Sequence, residues 1–159
     1  MRAYLGLGSN LGDRDANLDE AVRRLDAATG VVVVKESARY NTAPVGGPRQ
    51  PDYLNAACEV ETELSPHELL HAALKIEDEM GRQRDVHWGP RIIDIDLLLA
   101  GSAVIDDEDL TLPHPRMTER EFVLRPLADV APMLKHPVKG QTITALLKAV
   151  CPSDADDEA

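Results

Sequence analysis

Arg91-Ile92-Ile93-Asp94-Ile95-Asp96-Leu97-Leu98-Leu99-Ala100 reads as a buried strand that carries two acids. Successive residues of a strand alternate faces, so Asp94 and Asp96 project the same way, roughly 6.6 Å apart along the backbone. Acids in such an apolar run cost free energy unless a cation or a donor compensates them. Arg82, Arg84 and Arg91 lie just upstream. Carboxylates able to hold Mg²⁺ beside arginines able to hold phosphate oxygens are the ingredients of a metal–nucleotide site.

Upstream of this strand, Ser65-Pro66-His67-Glu68 marks a helix start, with Ser at the N-cap, Pro at N1 and Glu at N3. The spacing predicts a helix to about Met80, stopped by Gly81. Tyr53–Glu61 reads as a strand, and Thr42–Asp52, with its three prolines and two glycines, as a loop. β-Branched Val31–Val34 begins another strand that extends to about Tyr40. A helical pattern from Asp13 to Thr29 precedes it, with Leu18, Ala21, Val22 and Leu25 on one face. Ala3–Leu7 is the first strand, and the glycine-rich Gly6–Gly12 reads as a tight strand-to-helix turn. Its third glycine falls one position late for a dinucleotide fingerprint, and no Gly-Lys-Ser/Thr follows for a P-loop.

The order β-α-β-β-α-β predicts an α/β (α+β) ferredoxin-like core, an antiparallel sheet with helices on one face. A C-terminal extension follows. It contains strand-like segments at Val104-Ile105 and Leu110–Pro113, a short helical region at Arg116–Arg120 and a last helix at Thr142–Val150. One domain over residues 1–152 is expected, with 153–159 a disordered acidic tail.

The net charge of −11 argues against nucleic-acid and anionic-membrane partners, both of which favour basic surfaces. Yet six of the twelve arginines fall between Arg82 and Arg125, a stretch without lysine, which suits a local oxyanion cluster. Cys58 and Cys151 form no metal spacing and no disulfide framework. The first residues lack a signal-peptide core, and no apolar run approaches membrane-spanning length. A cytoplasmic monomer is expected.

His67-Glu68-Leu69-Leu70-His71 matches the zinc-protease pattern letter for letter. However, Glu68 sits where a capping box uses it, and the apolar stripe Leu69, Leu70, Ala73, Leu74 and Ile76 leaves both histidines to solvent without an evident third ligand. It reads as a capped helix. Tyr53-x-Asn55 repeats the i, i+2 geometry and presents a ring and a carboxamide on one side, a pair suited to a flat, hydrogen-bonding heterocycle. His114 stands between Pro113 and Pro115, followed by Arg116, Arg120 and Phe122, the only Phe.

In order and spacing, Gly8-Ser9-Asn10, Tyr40-x-Thr42-x-Pro44, Gln50–Asn55, Glu77, Gly81-Arg82-x-Arg84, Trp88–Arg91, Asp94-x-Asp96, Pro113-His114 and Arg120-x-Phe122 resemble the 6-hydroxymethyl-7,8-dihydropterin pyrophosphokinases of folate biosynthesis. The likeness runs from residue 2 to about 150. It implies a three-layer ferredoxin-like fold and transfer of pyrophosphate from ATP to the pterin hydroxymethyl group, with release of AMP. Asp94 and Asp96 would hold two Mg²⁺ ions, and Arg82 and Arg91 would stabilise the transferred charge. Glu77, Arg84, Trp88, Arg91, Thr111, His114 and Arg120 would serve ATP. Thr42, Pro44, Val45, Tyr53, Asn55 and Phe122 would serve the pterin. Asp109 and Pro115 depart from the family pattern, which has a basic residue and, in some members, Tyr there. Two alternatives are a Mg-dependent nucleotide-sugar transferase and a ferredoxin-like small-ligand-binding module. The first lacks its expected nucleotide domain, and the second has no need of paired acids facing arginines.

Overall fold

The structure is a computed structural model that describes residues 1–43, 52–81 and 92–151. Strand β1 (Arg2–Ser9) leads through a turn at Asn10–Gly12 into helix α1 (Arg14–Ala27). Gly12 takes φ +72°, a left-handed conformation that glycine adopts without steric cost, and Asp13 then caps the helix by accepting from Ala16 N–H at 3.1 Å. The expected turn is therefore shorter than Gly6–Gly12, because Gly6 and Gly8 lie within β1 itself.

Gly30, at φ +83°, turns the chain into β2 (Val31–Glu36), followed by β3 (Tyr40–Thr42), β4 (Tyr53–Thr62) and helix α2 (Pro66–Glu79). The capping box forms as expected. Ser65 Oγ accepts from Glu68 N–H at 3.2 Å, and the Glu68 carboxylate accepts from Ser65 N–H at 2.9 Å. Strand β5 (Asp94–Ala100) completes the β-α-β-β-α-β core. Arg91, the expected start of that strand, and the tail 153–159 lie outside the described residues.

All strand pairings are antiparallel, in the order β2-β4-β1-β5. The single strand expected from Val31 to Tyr40 is two strands, β2 and β3, which both pair with β4. Between them Ser37 substitutes for the ladder: its N–H donates to Ala57 C=O (2.9 Å) and its Oγ accepts from Ala57 N–H (2.8 Å).

The extension contributes a hairpin of β6 (Ile105–Asp106) and β7 (Thr111–Leu112), a 3-10 turn at Met117–Glu119, helix α3 (Glu121–Val130) and helix α4 (Ile143–Val150). Helix α3 has no counterpart in the sequence-based expectation. Pro126 stands inside it, a residue that removes a helical donor and argues against a helix. Tertiary packing outweighs that, since Leu124, Leu127 and Val130 bury completely or nearly so.

The two core helices share one face of the sheet as expected, and the C-terminal extension adds two more on the other. Leu18, Ala21 and Leu25 of α1 and Leu69, Ala73 and Ile76 of α2 pack with Leu5, Leu7, Val60, Ile95 and Leu97 on one side of the sheet. On the other side α3 and α4 pack Leu124, Leu127, Ile143 and Leu146 against Tyr4, Ala57, Leu98 and Leu99. A register shift between Tyr4 and Leu5 makes a bulge in which Leu98 is the extra residue, so both Leu98 and Leu99 join this second core. Three layers result, matching the architecture the family resemblance implies.

Candidate active site

The second face of the sheet is only partly covered. Its lower rows, at Tyr4, Ala57 and Leu98, are buried under α3 and α4. Above them the registers align Tyr40 with Asn55, Asn55 with Gly8, and Gly8 with Asp94. Paired residues of neighbouring strands face the same way, so these four form one row across β3, β4, β1 and β5. In the next row Ala57, Gly6 and Asp96 align in the same manner.

Two glycines, Gly8 and Gly6, thus make the floor between Asn55 and the two acids; Gly8 is buried beneath the Asn55 and Tyr53 side chains, and Leu98 lies beside Gly6. Two strand spacings separate the Asn55 and Asp94 backbones, about 10 Å. The floor is tight at its Asn55 end. A Cβ built on Gly8 would meet Asn55 Oδ1 at 3.0 Å and Tyr53 Cδ1 at 3.4 Å.

Asn55 is 7% exposed and its Nδ2 donates to Thr42 Oγ1 at 2.5 Å. With that nitrogen committed, the carboxamide oxygen lies over Gly8. Tyr53, half-buried and two residues away, shares the face, and so does Thr42 opposite it. Phe122 stands half-buried in the first turn of α3, the helix covering this side, and the Arg120 guanidinium lies 5.5 Å from its ring centroid. The structure therefore brings Thr42, Tyr53 and Asn55 together on one strand pair.

On the other side of the floor a cleft of about 300 Å³ runs between α2 and the β6–β7 hairpin. Asp94, Asp96, Glu77, Thr111 and His114 line it, with Leu70 and Leu74 as an apolar wall. Leu74 is 41% exposed, a large apolar side chain open to a ligand. Asp94 is half-buried and Asp96 exposed. Glu77 plays a part that the sequence did not suggest. It is 4% exposed, and its Oε2 accepts from Ile95 N–H at 2.7 Å, holding the strand between the two acids at the open sheet edge.

His114 N–H donates to Leu98 C=O at 2.9 Å, which seats the residue beside β5. Burial pulls its imidazole below the usual histidine range; Asp96 opposes that, while Arg120 and Arg116 add to it. The ring is therefore neutral at neutral pH. Its Nδ1 accepts from Arg116 N–H (3.3 Å), which leaves the proton on Nε2, a donor suited to a phosphate oxygen.

The His-Glu-x-x-His match falls on the capped first turns of α2. Glu68 is committed to the capping box, and His67 Nε2 lies 2.8 Å from Asp107 Oδ2. Among the described residues no group of three metal-ligating side chains converges. Pro44, Val45, Arg82, Arg84, Trp88 and Arg91 lie outside the described residues. Sequence reasoning passed over Gly6, Gly8 and the edge-holding role of Glu77. The i, i+2 spacing of the two glycines, read as strand rather than turn, is the signal that could have found the floor.

Residues 4–132 match the family model described as 7,8-dihydro-6-hydroxymethylpterin-pyrophosphokinase. A Methylorubrum extorquens protein named 2-amino-4-hydroxy-6-hydroxymethyldihydropteridine pyrophosphokinase is 50% identical over 152 residues, covering 96% of this chain and 95% of its own. A Bacillus subtilis protein of the same name is 50% identical over 128 residues, 80% of this chain and 77% of that one. In fold the chain is similar to a Plasmodium falciparum HPPK-DHPS structure, with a TM-score of 0.76 at 16% identity over 98% of this chain and 46% of that one.

Proposed function

The chain belongs to the 7,8-dihydro-6-hydroxymethylpterin-pyrophosphokinase family, and from that membership we propose how its residues carry out ATP-dependent pyrophosphoryl transfer to 6-hydroxymethyl-7,8-dihydropterin. One observation carries the assignment. The row Asn55–Gly8–Asp94 sets the Asn55 carboxamide and the Asp94 carboxylate on one face of the sheet, two strand spacings apart across Gly8.

The pterin lies over Gly8, its amide edge donating to Asn55 Oδ1, with Tyr53 and Phe122 as aromatic walls and Thr42 holding Asn55 in place. On family likeness, Pro44 and Val45 serve the pterin as well. The adenosine part of ATP occupies the cleft against Leu70, Leu74 and Thr111, and its phosphates run toward Asp94 and Asp96. The pterin hydroxymethyl oxygen then faces the β-phosphorus. An oxygen–phosphorus bond forms, and the bond from the β-phosphorus to the α,β-bridging oxygen breaks. Its electron pair leaves on AMP, and the hydroxyl proton passes to solvent.

Such transfers depend on positioning and charge stabilisation rather than on a covalent nucleophile. His114 Nε2–H donates to a phosphate oxygen. Two carboxylates on one strand face fit Mg²⁺, and Asp94 and Asp96 would hold it together with the substrate phosphates. When bound, two such ions neutralise phosphate charge and stabilise the attacking and leaving oxygens. On family likeness, Arg82 and Arg91 stabilise the charge of the transferred group, while Arg84, Arg120 and Trp88 serve the nucleotide. Glu77 supports the same cleft through β5. Residues 1–152 act as one domain. The same reading treats the chain as a cytoplasmic monomer, consistent with cysteines that form no disulfide.

The test is an assay of AMP formation from ATP, Mg²⁺ and 6-hydroxymethyl-7,8-dihydropterin. AMP is expected only when the pterin and Mg²⁺ are both present. ADP as the product, or AMP release without pterin, would overturn the assignment.

A further inference from the structure

We propose that Asp129 is a positioning residue for pterin recognition: from α3 it fixes β3 where Thr42 can hold the Asn55 carboxamide. The inference rests on the assignment of Asn55 to the pterin made above.

Strand β3 is three residues long, too short for its ladder alone to hold it firmly. It is cut off from β2 by the detour at Ser37. The Asp129 carboxylate spans that detour. One oxygen, Oδ2, accepts both Ala38 N–H at 3.2 Å and the Tyr40 phenol at 2.7 Å. Hydrogen bonds to an ionised acceptor are about twice as strong as neutral ones. The bond to Asp129 also holds the Tyr40 hydroxyl above the usual tyrosine range, with burial adding to it.

The consequence follows from register. Tyr40 pairs with Asn55 and Thr42 with Tyr53, so all four share one face. Asn55 Nδ2 reaches diagonally to Thr42 Oγ1. A slip of β3 by one residue would carry the Thr42 hydroxyl to the opposite face and release that nitrogen. With β3 in place the carboxamide presents its oxygen over Gly8, an acceptor for the N–H donors on the amide edge of a pterin.

The other side of β3 is held separately. Asn41 alternates toward α1, where Arg14 Nη1 donates to its Oδ1 at 2.6 Å, and Arg39 bonds Asp15 and Asp19 of that helix. Losing Asp129 therefore loosens the face that reads the ligand and leaves the strand tethered. Asp129 also lies seven residues, two helical turns, beyond Phe122 on the same side of α3. One helix thus places both an aromatic wall and the brace of the reading strand.

Steady-state kinetics of Asp129→Ala, Asp129→Glu, Tyr40→Phe and Asn55→Ala in the full chain test this, with thermal midpoints recorded for each. Asp129→Ala should raise the pterin KM about tenfold, the size expected for losing a hydrogen bond to a charged group. KM for ATP and kcat should stay within about twofold. Asp129→Glu should recover most of the loss. Tyr40→Phe, which removes only a donor, should move the pterin KM the same way by less and serves if Asp129→Ala does not fold. An unchanged pterin KM in Asp129→Ala, or equal rises in both KM values, would overturn the proposal while Asn55→Ala still impairs pterin binding. If Asn55→Ala leaves the pterin KM unchanged, both the Asn55 assignment and the role of Asp129 fall.

Discussion

The two ends of the Asn55–Gly8–Asp94 row are built on different principles. At the pterin end the reading group is finished before any ligand arrives: Asn55 is buried, its nitrogen committed to Thr42. At the proposed nucleotide end Asp96 is exposed and Asp94 half-buried, and Glu77 pins the backbone between them. The difference is physical. A neutral amide can be buried once its donors are satisfied, whereas two acids on one face repel each other and need a cation to complete them. On the proposed assignment, the first end selects by shape and hydrogen bonding, and the second is completed by its charged substrate.

The sharpest way to break this contrast is Asp96→Ala. It should lower kcat by roughly a thousandfold, about 4 kcal/mol of barrier, while pterin binding measured by fluorescence titration stays near wild type. Activity within about tenfold of wild type would sink the metal assignment.

The next is Gly8→Ala, which adds a methyl group where Asn55 Oδ1 and Tyr53 already stand at 3.0 and 3.4 Å. The pterin KM should rise by about tenfold or more, on the order of 1.4 kcal/mol, with the ATP KM little changed. If both substrates weaken equally, the glycine floor is not specific to the pterin end.

A smaller effect is expected from Glu77→Leu, which leaves the Ile95 N–H without its acceptor. An unmet buried donor costs about 1–3 kcal/mol, a loss of several degrees in Tm. Glu77→Gln keeps an acceptor and should recover most of it. A Tm unchanged in both variants would mean that β5 needs no such brace, and the nucleotide end would be looser than described.

How far this was legible in sequence depends on the kind of signal. Capping at Ser65–Glu68, and the i, i+2 pairs Asp94/Asp96 and Tyr53/Asn55, follow from local rules and appear as expected. Helix α3 was illegible because Pro126 speaks locally for a break, while the burial that overrides it involves residues far away in sequence. The break between β2 and β3 was missed for a related reason. Ser37 replaces a ladder with side-chain bonds to Ala57, twenty residues away, and no periodicity reports that. The family resemblance assigns Glu77 to ATP, but no local pattern reports its burial, which is a property of the neighbouring strand edge.

By itself the sequence determined which side chains share a face, where helices begin, and that acids and arginines gather around one strand. Those are short-range consequences of strand alternation and helix capping. Only the tertiary structure decided that Gly8 lies between Asn55 and Asp94, because register joins residues 8, 55 and 94 through pairings that no local pattern encodes. It also decided that α3 and α4 cover that face at Tyr4, Ala57 and Leu98. The chemistry was written in residue types, but the distance between its two halves was set by the packing of strands and helices distant in sequence.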